Sequence, residues 1–375
     1  MSSSVEQITE IKEKKNVLLR IKSTFSHSYA KFIMKKAGFY LLVIFCALTL
    51  TFLIPRLMPG DPTDRLLRPP PNVSDPKQLE QYYKMKDLII AYYGLDKPIF
   101  PDQFVEFWDH MFHLDLGTSY SLYPVSVVDA MIPRIWMTLI LVIPVLFISF
   151  FLGNWIGGKA AFGSLEKGYS AQLADLVYYV NMILQSAPFY WLALIVYLYF
   201  VIELRKQGVT IFPINHPGGV GPEMIPSVSI EYFIELLRHY ALPFITLLVT
   251  FTGGWATGMR AMTLYEMESE YLLYSEQMGF RKKKLQSYAQ RNAILPQFTG
   301  LNLRFNDLVG ATILTEAIFG WPGLGSMQLN AIMMLDFPLI IGTFIITLVI
   351  VVFGNFIVDI TYGFIDPRIR TGHGG

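Results

Sequence analysis

The sequence predicts an all-α polytopic membrane protein with six transmembrane helices and a small helical extracytoplasmic insertion between spans 1 and 2. Three observations carry this. Of 375 residues, 53% are hydrophobic and only 16% are charged. Mean hydropathy is +0.41, a balance a water-soluble domain of this size does not show. The apolar residues come in runs near the ~20 residues that cross a ~30 Å hydrocarbon core as a helix, and with six spans the clusters of lysine and arginine between those runs fall on one side.

Residues 1–36 are polar and basic, with Lys12, Lys14, Lys15, Arg20, Lys22, Lys31, Lys35 and Lys36 set against Glu6, Glu10 and Glu13. Ile8, Ile11, Leu18, Ile21 and Phe25 recur near helical spacing. This segment is either a helix on an anionic membrane surface or a cytoplasmic tail that fixes orientation. It is no secretory signal, because the apolar run starts late and no small-residue cleavage site follows. The first span is 37–57, closed by Pro55 and Pro59. Residues 58–134 are acidic and broken by Pro69-Pro70-Pro71. Short amphipathic helices are expected at 79–93 and 104–112, outside the cell.

Residues 135–365 hold the other spans, about 136–157, 174–202, 240–260, 298–319 and 339–360. The run Gly153-Asn154-Trp155-Ile156-Gly157-Gly158-Lys159 fits part of a phosphate loop, but Ala160 stands where Ser or Thr would meet magnesium. Gly153 and Gly157 are read instead as a close helix-packing face. As one straight helix, 174–202 would be ~43 Å long, so it is one span kinked at Pro188 or two short ones. Charge selects one span, which leaves Lys159, Lys167, Arg281 to Lys284, Arg368 and Arg370 all inside with both termini. Residues 203–239 form a second outer loop ending in a short interfacial helix at 230–239. In the fourth span Gly253, Gly254 and Gly258 invite close packing. Residues 261–297 form a cytoplasmic loop and 366–375 a cytoplasmic tail. The fifth span carries Asn302, Arg304, Asn306, Asp307, Thr312, Thr315 and Glu316, so it should face protein or water.

The loop 261–297 turns at Gly279-Phe280, beside Arg281-Lys282-Lys283-Lys284. Glycine permits a turn closed to other residues. The loop either docks a short helix on a soluble partner or only fixes topology. Thr312, Thr315 and Glu316 are the pathway candidates, and the other reading of Glu316 is a carboxylate at the outer end of its span, near water. Asp307, Arg304 and Asp359 are read as interfacial. Trp321-Pro322-Gly323-Leu324-Gly325 is a tight turn and helix start, at the pathway's outer mouth or as a connector. His110 and His113 share a helix face, but no third ligand is evident, so no metal site is expected. The single cysteine, Cys46, excludes an intrachain disulfide and a cysteine metal site. No catalytic residue is assigned: no nucleophile with a base and no metal set falls within the spans. Inverted repeats and central ion-coupling carboxylates, which a self-contained carrier needs, are not seen either. No nucleic-acid partner is expected.

Several of these segments carry a resemblance. Arg291-Asn292-Ala293-Ile294-Leu295-Pro296, the run LTEAIFGWPGLG at 314–325 and DITYGFIDPRIR at 359–370 are the closest in pattern. RLMPGDP at 56–62, YGLDKP at 93–98 and DLGTS at 115–119 follow in the right order. The chain resembles the permeases of binding-protein-dependent ABC importers, and among them the first membrane subunit of oligopeptide, dipeptide and nickel importers. The resemblance implies the type I ABC importer fold. It also implies a heterodimer with a second permease subunit, two separate ATPase subunits that hold ATP and magnesium, and an extracytoplasmic substrate-binding protein, in a bacterial or archaeal plasma membrane. By the same resemblance, Glu270, Tyr271, Gly279, Phe280, Arg281, Arg291, Asn292, Leu295 and Pro296 couple to the ATPases. Two departures stand out: the N-terminal extension, and Leu273-Tyr274-Ser275-Glu276-Gln277-Met278 where the family has small residues.

Overall fold

The computed structural model describes residues 27–57, 63, 67, 76–92, 94–163, 169–209, 211–212 and 230–365. The tail before His27, the Pro59-Gly60-Asp61 segment, most of residues 203–229 beyond Val209 and the tail after Ile365 lie outside the described residues. Among those described, the chain is helical, and the single extended pairing is an isolated bridge between Thr118 and Ser126.

In chain order the main helices are α1 His27–Leu57, α2 Pro76–Tyr92, α3 Phe104–Phe112, α4 Val127–Gly163, α5 Tyr169–Ser186, α6 Phe189–Tyr197, α7 Ile230–Met267, α8 Glu270–Gln277, α9 Lys282–Thr299, α10 Leu301–Phe319, α11 Leu324–Met334 and α12 Phe337–Ile365. Four of them (α1, α4, α7 and α12) are long and apolar enough to cross a membrane, and two bent pairs raise the number to six if each pair is one span.

Two differences from the expected spans have a clear cause. The interfacial helix at 230–239 and the span at 240–260 are one continuous helix of 38 residues with Pro243 inside it. Proline gives up a backbone hydrogen bond, but a helix packed among others can absorb that loss. Conversely, 174–202 is no single gently kinked rod. Its two halves meet at 99°. Pro188 is extended there (φ −55, ψ 127), and proline also restrains the residue before it.

The core lies where α4 and α7 meet. A Cβ on Gly153 would strike Trp255 and the Thr252 carbonyl, and one on Gly157 would strike the Ala256 carbonyl. Only glycine lets the two backbones approach this closely. On the other flank of α7, Gly253 lies against the Asn181 carbonyl and Gln185 of α5. Leu141, Val142 and Val145 pack with Leu247, Phe251, Leu308 and Trp321. A second cluster joins Val127 and Met131 to Leu324, Leu339 and Ile340.

The ends of the bundle can be told apart by contacts. Near the end of α12, Asp359 pairs with Lys36 at 2.8 Å and accepts hydrogen bonds from Tyr40 Oη and Asn302 Nδ2. At the opposite end, Phe52 of α1 packs with Phe107 and Ile341. So α1 and α12 run antiparallel, and the start of α10 lies with Lys36. α9 leads into that same end, and so does the end of α4, because Gly158 faces Gln290. We call this the turn end, after the α8–α9 turn. The α2–α3 insertion sits at the far end. There Arg56 Nε donates to Gln103 Oε1 at 2.8 Å, and Trp108 stacks on Phe45 with centroids 4.9 Å apart.

Candidate functional site

Two constellations stand out, one at each end. At the turn end, α7 gives way to α8 at Ser269, which is extended and starts the new helix. Gly279 closes α8 with φ +80. Its N–H donates to the Glu276 carbonyl at 2.9 Å, and Phe280 N–H donates to the Ser275 carbonyl at 3.2 Å. This is the left-handed helix stop that glycine favours. Arg281 is extended again and begins α9. The hairpin is anchored by Leu272, buried against Phe162 and Ala289. It is also tied across its base: Asn292 Nδ2 donates to Tyr271 Oη, which donates to Glu266 Oε2, each at 2.7 Å. Burial, then the bond to Glu266, raises the Tyr271 phenol above its ordinary value.

Of the residues expected to couple, Glu270, Tyr271, Gly279, Phe280 and Arg281 gather on α8 and its turn. Arg291 and Asn292 lie on the facing helix. Leu295 and Pro296 lie further along α9, ~20 Å from its start, and are exposed but not at the turn. Two residues of the 273–278 departure share the turn's outer surface. Tyr274 and Met278 stand exposed beside Phe280, and Lys284 Nζ sits 4.4 Å from the Phe280 ring centroid. The result is an exposed patch of Tyr274, Met278 and Phe280 edged by Arg281 to Lys284. Large exposed apolar patches rimmed by polar groups mark interaction surfaces.

At the far end, α10 stops at Gly320, which is left-handed (φ +62). The chain then turns through Pro322-Gly323 into α11, bent 74° from α10. Glu316 is wholly buried. Its Oε1 accepts Thr138 Oγ1 at 2.7 Å, and its Oε2 accepts the N–H groups of Gly325 at 2.7 Å and Ser326 at 3.1 Å. Thr138 Oγ1 in turn accepts Leu324 N–H at 2.8 Å. A Cβ on Gly323 would collide with the Glu316 carboxylate. Thr312 and Thr315 are buried too, and their hydroxyls donate to Leu308 and Ala311 of their own helix. All three pathway candidates therefore face the interior of this subunit. The Trp321 to Gly325 run forms the turn and helix start expected of it, with Trp321 Nε1 bonded to the Met137 carbonyl at 3.0 Å.

Sequence reasoning missed Asp336, a second buried carboxylate at the other end of α11. Its Oδ2 accepts Ser119 Oγ at 2.6 Å, Ser121 Oγ at 2.7 Å and Ser121 N–H at 2.9 Å. Its Oδ1 accepts Leu339 N–H at 3.1 Å. The one available signal was an acidic residue just before an apolar run, the pattern of a helix N-cap.

Gly153 to Ala160 lies within α4. It offers no loop to wrap a phosphate, and its glycines are spent on packing. His113 Nδ1 lies 2.8 Å from the Asp109 carbonyl and His110 Nδ1 3.2 Å from Asp115 Oδ2. Among the described residues no group of three or more His, Cys, Asp and Glu is placed to hold a metal.

The several long apolar helices, with an exposed apolar turn at one end and an internally clamped, sharply bent helix pair at the other, define a multi-pass membrane component. Residues 160–371 match the family of binding-protein-dependent transport system inner membrane components, and the chain belongs to that family. It is 26% identical over 343 residues to the oligopeptide transport system permease protein AppB of Bacillus subtilis, covering 91% of this chain and 99% of the relative. It is 26% identical to the dipeptide transport system permease protein DppB of Lactococcus lactis, over 91% of this chain and 99% of the relative. Against the dipeptide transport system permease protein DppB of Escherichia coli K12 it is 26% identical, over 91% of this chain and 98% of the relative.

Proposed function

We propose that this chain is the first membrane subunit of an ATP-driven importer of short peptides, with six spans in the type I importer arrangement. It forms half of the pathway in a heterodimer with a second permease. Two ATPase subunits, which carry the ATP and magnesium, dock on the α8–α9 turn, and an extracytoplasmic binding protein delivers cargo to the far end. The observation that carries this reading is the near-full-length similarity to permeases named for oligopeptide and dipeptide transport. The exposed turn, apolar at its centre and basic at its rim, supplies the grip such a motor needs.

Orientation follows from charge. Lys36, Lys159, Arg281 to Lys284 and Arg291 lie toward the turn end, which supports placing that end in the cytoplasm. Both termini then lie inside and the α2–α3 insertion outside. Import proceeds by alternating access: ATP closure draws the docking turns together, the far end opens, and cargo enters.

The test is gentle purification from the native membrane followed by mass spectrometry, then reconstitution with whatever co-purifies. A second permease, two ATPases and ATP-driven uptake of di- to tetrapeptides are the expected result. Copurification of the chain alone, or uptake of nickel or oligosaccharide in place of peptide, overturns the assignment.

A further inference from the structure

A cavity of about 440 Å³ opens at the far end, between α4, α6, α10 and α11. Most of its wall is apolar, including Ile318, Met327 and Met334, while Arg134, Tyr197 and Asn330 bring polar groups to it. Arg134 is the cavity's one cationic side chain among the described residues. It is half-buried on α4, one turn before Thr138, the residue that ties Glu316.

Among the described residues no hydrogen-bond partner takes up the Arg134 guanidinium. Among the described residues the carboxylate that acts on it is Glu316. Both oxygens of that carboxylate are already taken by Thr138, Gly325 and Ser326. No described side chain forms an ion pair with Arg134. An arginine near a membrane span is costly unless a partner or water meets it. Its planar fork of donors fits a carboxylate through two parallel bonds. The surrounding methionines adapt to side chains of differing shape.

We propose that Arg134 is a binding residue of the pathway's outer vestibule, where it holds the terminal carboxylate of a short peptide while the apolar wall accepts varied side chains. This rests on the peptide-import reading above. Glu316 acts through position: by taking its hydrogen bonds from α4 and α11, it leaves Arg134 unpaired and facing the cavity.

The experiment uses the complete transporter in proteoliposomes with its binding protein, and compares ATP-driven uptake of trialanine and trialanine amide. Wild type, Arg134→Gln and Arg134→Lys share one binding protein, so its own preference cancels when their acid-to-amide ratios are compared. Arg134→Gln is expected to lower that ratio roughly 10-fold, the scale of a lost charged hydrogen-bonded contact, and Arg134→Lys to recover part of it. If the amide is no substrate even for wild type, the acid alone decides: a roughly 10-fold loss of maximal uptake in Arg134→Gln, partly recovered by Arg134→Lys, supports the site. Equal ratios, or equal acid uptake, in assembled complexes overturn it. So does a parallel fall in both substrates, as expected if the guanidinium holds a lipid phosphate. Wild-type uptake of neither peptide would instead reject the peptide-import reading, and this site's ligand with it.

Discussion

Glu316 and Asp336 grip the two ends of one helix. The Glu316 carboxylate receives the Gly325 and Ser326 N–H groups in the first turn of α11, and Asp336 follows its last turn and caps α12. Both carboxylates are fully buried, and neither forms an ion pair with a described cation. Glu316 is satisfied by the Thr138 hydroxyl of α4 and by two N–H groups of α11, and Asp336 by Ser119 and Ser121 of the loop before α4 and by Leu339 N–H of α12. The bent helix α11 is thereby held at its start through Thr138 of α4, and the chain just beyond its end is held through the loop that precedes α4.

The first prediction tests that fastening. Thr138→Val keeps the shape but leaves Leu324 N–H and Glu316 Oε1 without their partner. It should cost about 1–3 kcal/mol, and Glu316→Ala, which strands two N–H groups, at least about 3 kcal/mol. Thermal unfolding in detergent reads both. A Glu316→Ala protein that melts with wild type would show that the carboxylate holds nothing.

A second concerns the α4–α7 contact. Gly157→Val places a Cβ against the Ala256 carbonyl and adds two methyl groups to an already closed contact. We expect a loss of more than about 2 kcal/mol from overpacking, visible as aggregation on size-exclusion chromatography. Gly38→Val, where nothing lies within 4 Å of the added Cβ, should be near neutral by the same assay.

At the turn, Gly279→Pro removes the N–H bonded to Glu276 and cannot take φ +80. The protein should insert and fold, yet ATP hydrolysis by the assembled transporter should no longer rise with loaded binding protein. Gly279→Ala carries the left-handed strain alone, about 1–2 kcal/mol, and should show a partial defect. Substrate-stimulated hydrolysis at the wild-type level in the proline variant would count against docking there.

The fourth is a pH dependence. The Tyr271 phenol is raised above 10.0 in the fold, first by burial and then by Glu266. A raised pKa means the folded state holds the proton more tightly. The contribution is thus complete below pH ~10 and fades as pH climbs through the folded value. Tyr271→Phe should remove this alkaline loss and weaken the hairpin at neutral pH. Tyrosinate absorbance across the alkaline range, compared between wild type and variant, measures it.

Much of this was legible in the sequence, and the limits have physical reasons. Apolar runs located α1, α4, α7 and α12, because a run of that length has one stable arrangement in hydrocarbon. The turn at Gly279 was legible because its geometry is local. The unity of α7 was hidden by the change at His239 from a segment bearing Glu231, Glu235 and Arg238 to an apolar run, which marks where polarity changes and not where the helix stops. The role of Asp336 was hidden by distance along the chain, since its partner Ser119 lies 217 positions away. Glu316 was conspicuous as a charge in an apolar run, but its partners were not: Thr138 lies 178 positions away, and the turn that brings Gly325 back to it depends on Gly320 and Gly323 together.

The glycine seam between α4 and α7 has a mechanical consequence. Two rods touching atom to atom along their backbones cannot shear past one another. If ATPases dock at residues 278–281 as proposed, a push there would travel up α7 as a lever ~57 Å long, with α4 and the clamped α11 moving along with it. Widening of the bundle is left to the joints where the chain doubles back, at Pro188 and Gly320.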